Sequence, residues 1–141
     1  MIRYYDASAL AKRYVEEPES EELLRLLSDG IAVTCRLSES EIASALARRQ
    51  REGSLSKAAR DRLLEVMRKD MASLYVVEDS SEVSGLACAL LMRHKLRAAD
   101  ALHLASALML AGWSGLRVQF VGYDQAQNEA AGREGLDRPA N

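Results

Sequence analysis

The sequence predicts an α/β fold in which a parallel sheet is sandwiched between helices. Three observations predict it. Four short runs rich in β formers, at residues 2–5, 31–34, 74–77 and 118–121, are separated by stretches with helical periodicity. That alternation is the signature of strands joined by crossover helices. Residues 98–111 read as a helix that is apolar nearly all round, which belongs inside a fold. Finally, 141 residues suffice for one hydrophobic core without a metal or disulfide staple.

The elements follow in order. Ile2-Arg-Tyr-Tyr5 is a strand that stops at Asp6, and Ala7 to Tyr14 reads as a helix. Pro18 ends that helix and opens another, with Leu23, Leu24, Leu26 and Leu27 on its apolar side and Gly30 closing it. After the strand ending near Thr34, a helix starts at Ser38 and carries Ile42, Ala45, Leu46 and Arg49 at i, i+3, i+4, i+7 spacing, stopping at Gly53. A helix over 56–71 presents Ala59, Leu63, Val66 and Met67. The run 74–77 is a strand, and Ser80 or Ser81 caps a helix with an apolar stripe of Val83, Leu86, Ala87, Leu90 and Leu91. The buried helix, the strand 118–121 and a last helix from Asp124 complete a single domain over residues 1–141, with about the last five residues expected to form a loose tail.

Composition narrows the function classes. The chain is 48% hydrophobic and 28% charged, which is globular and not disordered. Nineteen basic and 21 acidic side chains give a net charge of −2, so a uniformly basic nucleic-acid coat is excluded. Local patches are not, and residues 1–70 hold 13 of the basic side chains against 6 in residues 71–141. Cys35 and Cys88 make no disulfide framework and read as buried reduced thiols. The first residues lack a signal-peptide core, and no apolar stretch is long enough to span a bilayer. The expectation is a cytoplasmic protein without a membrane segment.

In an open parallel sheet, ligands bind beyond the carboxyl ends of the strands. Asp6 and Asp124 are each the first acid after a strand, while Glu41 and Asp100 fall in the first turns of their helices. Singly, each has an ordinary structural explanation. The three aspartates are good helix caps, and Ser38-Glu-Ser-Glu41 matches a capping box. Jointly, four acids at one sheet edge would repel one another unless a cation neutralised them. Oxygen ligands of this kind suit Mg²⁺ or Mn²⁺, whereas no Cys/His set for zinc is present. An ion so held acidifies bound water and neutralises charge on a phosphodiester, and one carboxylate could accept the proton of the attacking water.

Four segments carry a resemblance. Tyr4-Tyr-Asp6-Ala-Ser8-Ala-Leu-Ala-Lys12, Ser38-Glu-Ser-Glu41-Ile-Ala, Leu96-Arg-Ala-Ala-Asp100-Ala-Leu-His-Leu-Ala and Phe120-Val-Gly-Tyr-Asp124-Gln-Ala-Gln-Asn128 stand in the order and spacing of the motifs of PIN-domain ribonucleases. In particular, they resemble the VapC-type toxins of type II toxin–antitoxin systems. The resemblance implies a three-layer domain around a parallel sheet of four or five strands and a Mg²⁺/Mn²⁺-dependent endoribonuclease. It also implies a homodimer and a cognate antitoxin that covers the acidic pocket. The family's metal-site and catalytic acids map onto Asp6, Glu41, Asp100 and Asp124, and its small hydroxyl beside the first acid onto Ser8. The short edge strand common after the last helix has a poor counterpart here, because residues 134–141 carry Pro139 and few β formers.

Other residues are more ambiguous. His103 shares a helix face with Asp100 and reads chiefly as a packed or hydrogen-bonded core residue, with contact to the site as the alternative. Lys12, Arg97 and Asn128, together with Ser8, are candidate substrate contacts, and basic side chains here would give a salt-dependent grip on phosphates. For each basic residue the plain alternative is a solvated helix end. A non-catalytic RNA-binding or interaction module that keeps the acids as caps is the second reading of the whole chain. A phosphate-loop enzyme is disfavoured, since neither G-x-x-x-x-G-K-[ST] nor G-x-G-x-x-G occurs.

Overall fold

The computed structural model describes residues 1–140. Its described elements run β1 (Ile2–Tyr5), α1 (Ala7–Ala11), α2 (Ser20–Leu27), β2 (Ile31–Cys35), α3 (Leu37–Arg51), α4 (Lys57–Ser73), β3 (Tyr75–Val77), α5 (Ser81–Arg93), α6 (Ala98–Ser114), β4 (Val118–Val121) and α7 (Gln125–Arg133). The strands pair in parallel in the order β3-β2-β1-β4. Strand side chains alternate between faces, and adjacent Tyr4 and Tyr5 show the consequence. Tyr4 joins Val33, Val118, Phe120, Ala87, Leu104 and Ala130 in a core with α5, α6 and α7. Tyr5 joins Leu10, Leu23, Ile42, Leu46 and Met67 in a core with α1 to α4. The result is the expected three-layer α/β architecture.

Several local expectations need correction. α1 ends at Ala11, short of Tyr14, and the chain continues in i→i+3 turns through Tyr14. On α2, Leu23 and Leu26 are buried but Leu24 is exposed, and on α4 the buried residues are Met67 and Met71 while Val66 faces out. α6 is enclosed only from Ala101 to Ala107, apart from half-buried Leu102; beyond that it emerges, leaving Trp113 63% exposed. Cys35 is buried as expected, but Cys88 is exposed.

The C-terminal segment is neither a full strand nor loose at Asp137. Asp137 makes an isolated parallel bridge to Gln119, accepting from Phe120 N at 2.8 Å and donating to Val118 O at 3.2 Å. Its carboxylate accepts two bonds from Arg117, and the preceding Leu136 is buried. Pro139 lacks the N–H that a further ladder step needs. Asn141, the end of the expected tail, lies outside the described residues. No described helix is long and apolar enough to cross a membrane.

Candidate active site

Strand register brings the first and last acids to one edge. Tyr5 pairs with Val121, and Asp6 N donates to Val121 O, so Asp6 and Asp124 follow neighbouring strand ends. Each caps the helix it opens. Asp6 accepts from Ala9 N at 2.8 Å, and Asp124 from Gln127 N at 2.9 Å. The cap is therefore real at both positions, with N-terminal N–H groups held by a carboxylate.

Glu41 does something else. α3 starts at Leu37 with no side-chain cap, and Ser38 turns inward to Thr34 Oγ1 at 2.6 Å. The capping box is therefore not formed. Glu41 Oε1 instead accepts from His103 Nε2 at 2.6 Å, tying α3 to α6. A carboxylate only accepts, so the shared proton belongs to Nε2. His103 Nδ1 lies 2.9 Å from the Tyr4 hydroxyl and 3.5 Å from Cys35 Sγ. His103 is thus both the buried, hydrogen-bonded residue expected and a direct contact of the site.

Asp100 lies inside the first turn of α6, not at its cap, which is Arg97. Arg97 Nε donates to Asp100 Oδ2 at 3.1 Å. Gln127 Nε2 donates to the Asp100 carbonyl at 3.3 Å, joining the starts of α6 and α7. Gln127 is fully buried, a role its polar side chain does not advertise; its only sequence signal is the i+3 position after a capping Asp.

The electrostatics follow from this crowding. Burial pushes the Asp6 carboxyl above its usual range; Ala9 N–H, His103 and Ser8 oppose the shift, while the nearby Glu41 charge reinforces it. Asp6 is 4% exposed and, among the described residues, has no ion-pair partner. The Ser8 hydroxyl lies 3.0 Å from both Asp6 oxygens. Arg97 is held charged first by Asp100, with Asp124 and Glu41 also contributing. For His103, burial opposes the charge, but hydrogen bonding to Cys35 and Glu41 outweighs it and pushes the imidazole up to about 10.

Beside these groups opens a cavity of about 520 Å³ lined by Ser8, Glu41, Arg48, Arg97, Tyr123 and Asp124 among others; of the four acids, Glu41 and Asp124 line it and Asp6 and Asp100 do not. Lys12 lines it too, but its ammonium is taken by Glu17 at 2.8 Å and Glu19 at 3.0 Å. Asn128 does not line it. Asn128 is buried, donates to Gly122 O at 2.9 Å, and borders a separate cavity beside Arg138. Among the described residues, no three His, Cys, Asp or Glu side chains stand close enough together to hold one metal ion. Glu41 is turned to His103 and Asp100 to Arg97.

The PIN domain family model matches residues 3–112, and the chain belongs to that family. Among solved structures, it is similar to the Mycobacterium tuberculosis toxin VapC20, described as cleaving the sarcin-ricin loop. The two share 17% identity at a TM-score of 0.69, over 97% of this chain and 99% of that one. It is also similar to FitAcB from Neisseria gonorrhoeae, with 15% identity and a TM-score of 0.68 over 97% and 96% of the two chains. VapBC2 from Rickettsia felis, solved bound to a DNA fragment from its promoter, gives 11% identity and a TM-score of 0.65 over 92% of each chain. At these identities the likeness is one of fold. Comparison with curated proteins gives no match.

Proposed function

We propose that the protein is a VapC-type toxin, a divalent-metal-dependent endoribonuclease whose site is formed by Asp6, Glu41, Asp100 and Asp124. The observation that carries this reading is Asp6. A carboxylate this buried, in no ion pair among the described residues, beside a second acid and with only the His103 imidazole near enough to offset its charge, is unfavourable when ionised. A structural cap needs no such burial, whereas a cation would neutralise it. The donors fit a hard ion in type, since all four are carboxylates. Among the described residues, Glu41 Oε2, Asp100 Oδ1 and Asp124 Oδ2 accept no hydrogen bond, so each of these acids keeps one oxygen uncommitted. As they stand, no three of the described acids could hold one ion, so binding requires side chains of the set to move.

Mg²⁺ or Mn²⁺ there would acidify water and neutralise charge on a phosphodiester. The chain's own residues do the rest. Ser8 orients the Asp6 carboxylate. Glu41, which lines the cavity and is bonded to His103, would accept a proton from the attacking water. Arg97 at the cavity wall supplies positive charge beside the phosphate.

RNA as substrate, a cytoplasmic location, a cognate antitoxin and a homodimer complete the proposal. The antitoxin partner is supported by the fold likeness to VapBC2 and FitAcB. The test is incubation of the purified, antitoxin-free protein with total cellular RNA and Mn²⁺. Endonucleolytic fragments are expected, and they should be absent with Asp6→Asn, Asp100→Asn or Asp124→Asn at unchanged fold. RNA left intact by the wild type would favour the binding-module alternative.

A further inference from the structure

A second cavity, of about 480 Å³, is lined by Gly122, Tyr123, Gln125, Asn128, Glu129 and Arg138. Tyr123 lines the acidic cavity as well, and Asp124 follows it directly, so the two cavities share a wall. The second cavity is rich in acceptors that nothing satisfies. Asn128 is 8% exposed, and its Nδ2 is fixed on the Gly122 carbonyl at 2.9 Å. The amide therefore cannot be reversed, and its buried Oδ1 is left without a donor. A buried acceptor in that state costs stability until a donor arrives. Gln125 Nε2 donates to Glu129 Oε1 at 3.1 Å; among the described residues, Gln125 Oε1 and Glu129 Oε2 accept nothing. Arg138 is exposed and, among the described residues, pairs with no carboxylate, although Glu129 lines the same cavity.

We infer that this cavity is a guanine subsite, in which the base sets its pairing edge against Glu129 and Asn128 and its O6/N7 edge against Arg138. The inference rests on the nuclease reading, with RNA as the substrate of the neighbouring acids. A carboxylate in the wall repels a phosphate, so the cavity suits a base and not the backbone. Single-stranded RNA presents unstacked bases, which proteins bind by hydrogen bonds to their edges and by stacking on aromatic rings or guanidinium planes. Tyr123 and Arg138 are the planes available here. Guanine alone among the four bases carries two neighbouring donors on its pairing edge, N1–H and the N2 amine, which one carboxylate accepts together. Its O6 and N7 are acceptors that an arginine takes bidentately. Adenine would set the bare lone pair of N1 against Glu129, and cytosine that of N3. Uracil offers a single N–H between two carbonyls. The sequence points to Asn128 as a substrate contact; it stays structural through its nitrogen and offers the base only its oxygen.

The test uses short labelled strands of uridine carrying one central guanosine, adenosine or inosine, with anisotropy read in EDTA so that cleavage plays no part. The wild type should bind the guanosine strand about 5-fold or more tightly than the adenosine strand. The inosine strand, which lacks the N2 amine, should fall between them. Glu129→Gln should bring the guanosine and adenosine strands level, and Arg138→Ala should weaken guanosine binding several-fold. Arg133→Ala, at the far end of α7, should leave the guanosine preference unchanged. Equal affinity of the wild type for the guanosine and adenosine strands, or a preference that survives both substitutions, overturns the inference, as does the absence of any binding. Guanosine-selective binding without Mn²⁺-dependent cleavage would sink the nuclease reading alone; Mn²⁺-dependent cleavage indifferent to guanosine beside the cut would sink this inference alone.

Discussion

His103 Nε2 stands 2.6 Å from Glu41 Oε1, and this bond joins the helix after β2 to the helix before β4. Through the Tyr4 hydroxyl on Nδ1, the link reaches the central strand. Partners that orient ligating groups typically matter about 10–100-fold in metal affinity or activity. His103→Gln should therefore lower Mn²⁺ affinity by about that factor while circular dichroism stays native. Tyr4→Phe should have a smaller effect, because it loosens the imidazole without freeing Glu41.

The hydrogen bonds of His103 to Cys35 and Glu41 make stability depend on pH. They push the folded imidazole up to about 10, against an unfolded value of about 6.5. A raised folded value favours the charged form, so its stabilisation is complete below about pH 6.5 and is lost as pH rises toward 10. The melting temperature should fall across that window. In His103→Gln the fall should be shallower, and equal slopes would disprove the linkage.

Asp6 shifts in the same direction, so stability again falls as pH rises, here through the carboxylate range, but for Asp6 it is the charged form that is disfavoured. Its folded carboxyl is raised, so the ionised group costs stability at neutral pH in the absence of a cation. Asn keeps the bond from Ala9 N and removes the charge. Asp6→Asn should melt no lower than wild type in EDTA. Mn²⁺ should raise the melting temperature of wild type but not of the variant, as differential scanning fluorimetry would show.

Asn128 is a structural residue. Its amide holds the Gly122 carbonyl in the turn leading to Asp124. A Cβ on Gly122 would stand 3.1 Å from Phe120 Cε1 and 3.3 Å from Gln127 Oε1, so that turn has little slack. Asn128→Ala leaves a buried carbonyl unpaired and should cost about 1–3 kcal/mol in denaturant unfolding.

The two thiols should separate by reactivity. Cys88 is exposed and Cys35 is buried. A thiol reagent should modify one group quickly under native conditions, and Cys88→Ser should remove that fast phase.

Much of this molecule is legible from local pattern. Strand order along the chain, the three-layer class and the cap positions of Asp6 and Asp124 follow from runs of β formers and the acids that end them. Most of what escaped follows from packing between distant segments. Nothing local says that Glu41 would leave Ser38 for a histidine 62 residues on. The partners of the Lys12 ammonium, Glu17 and Glu19, are near in sequence, but the turn that brings them onto it leaves no signal in the residue pattern. Cys88 sits among apolar neighbours in sequence, yet its helix turns it outward. Asp137 shows the reverse case, because poor β formers still bridge to β4 when Arg117 clamps the side chain.

The central claim is that four carboxylates, spread from residue 6 to residue 124, form one divalent-cation site. Calorimetric titration of Mn²⁺ into the EDTA-stripped, desalted protein tests it most directly, with Asp6→Asn, Glu41→Gln, Asp100→Asn and Asp124→Asn measured alongside. Saturable binding in the wild type that weakens in every variant is the predicted result. Absence of binding in the wild type, or binding that survives all four substitutions, would contradict the account.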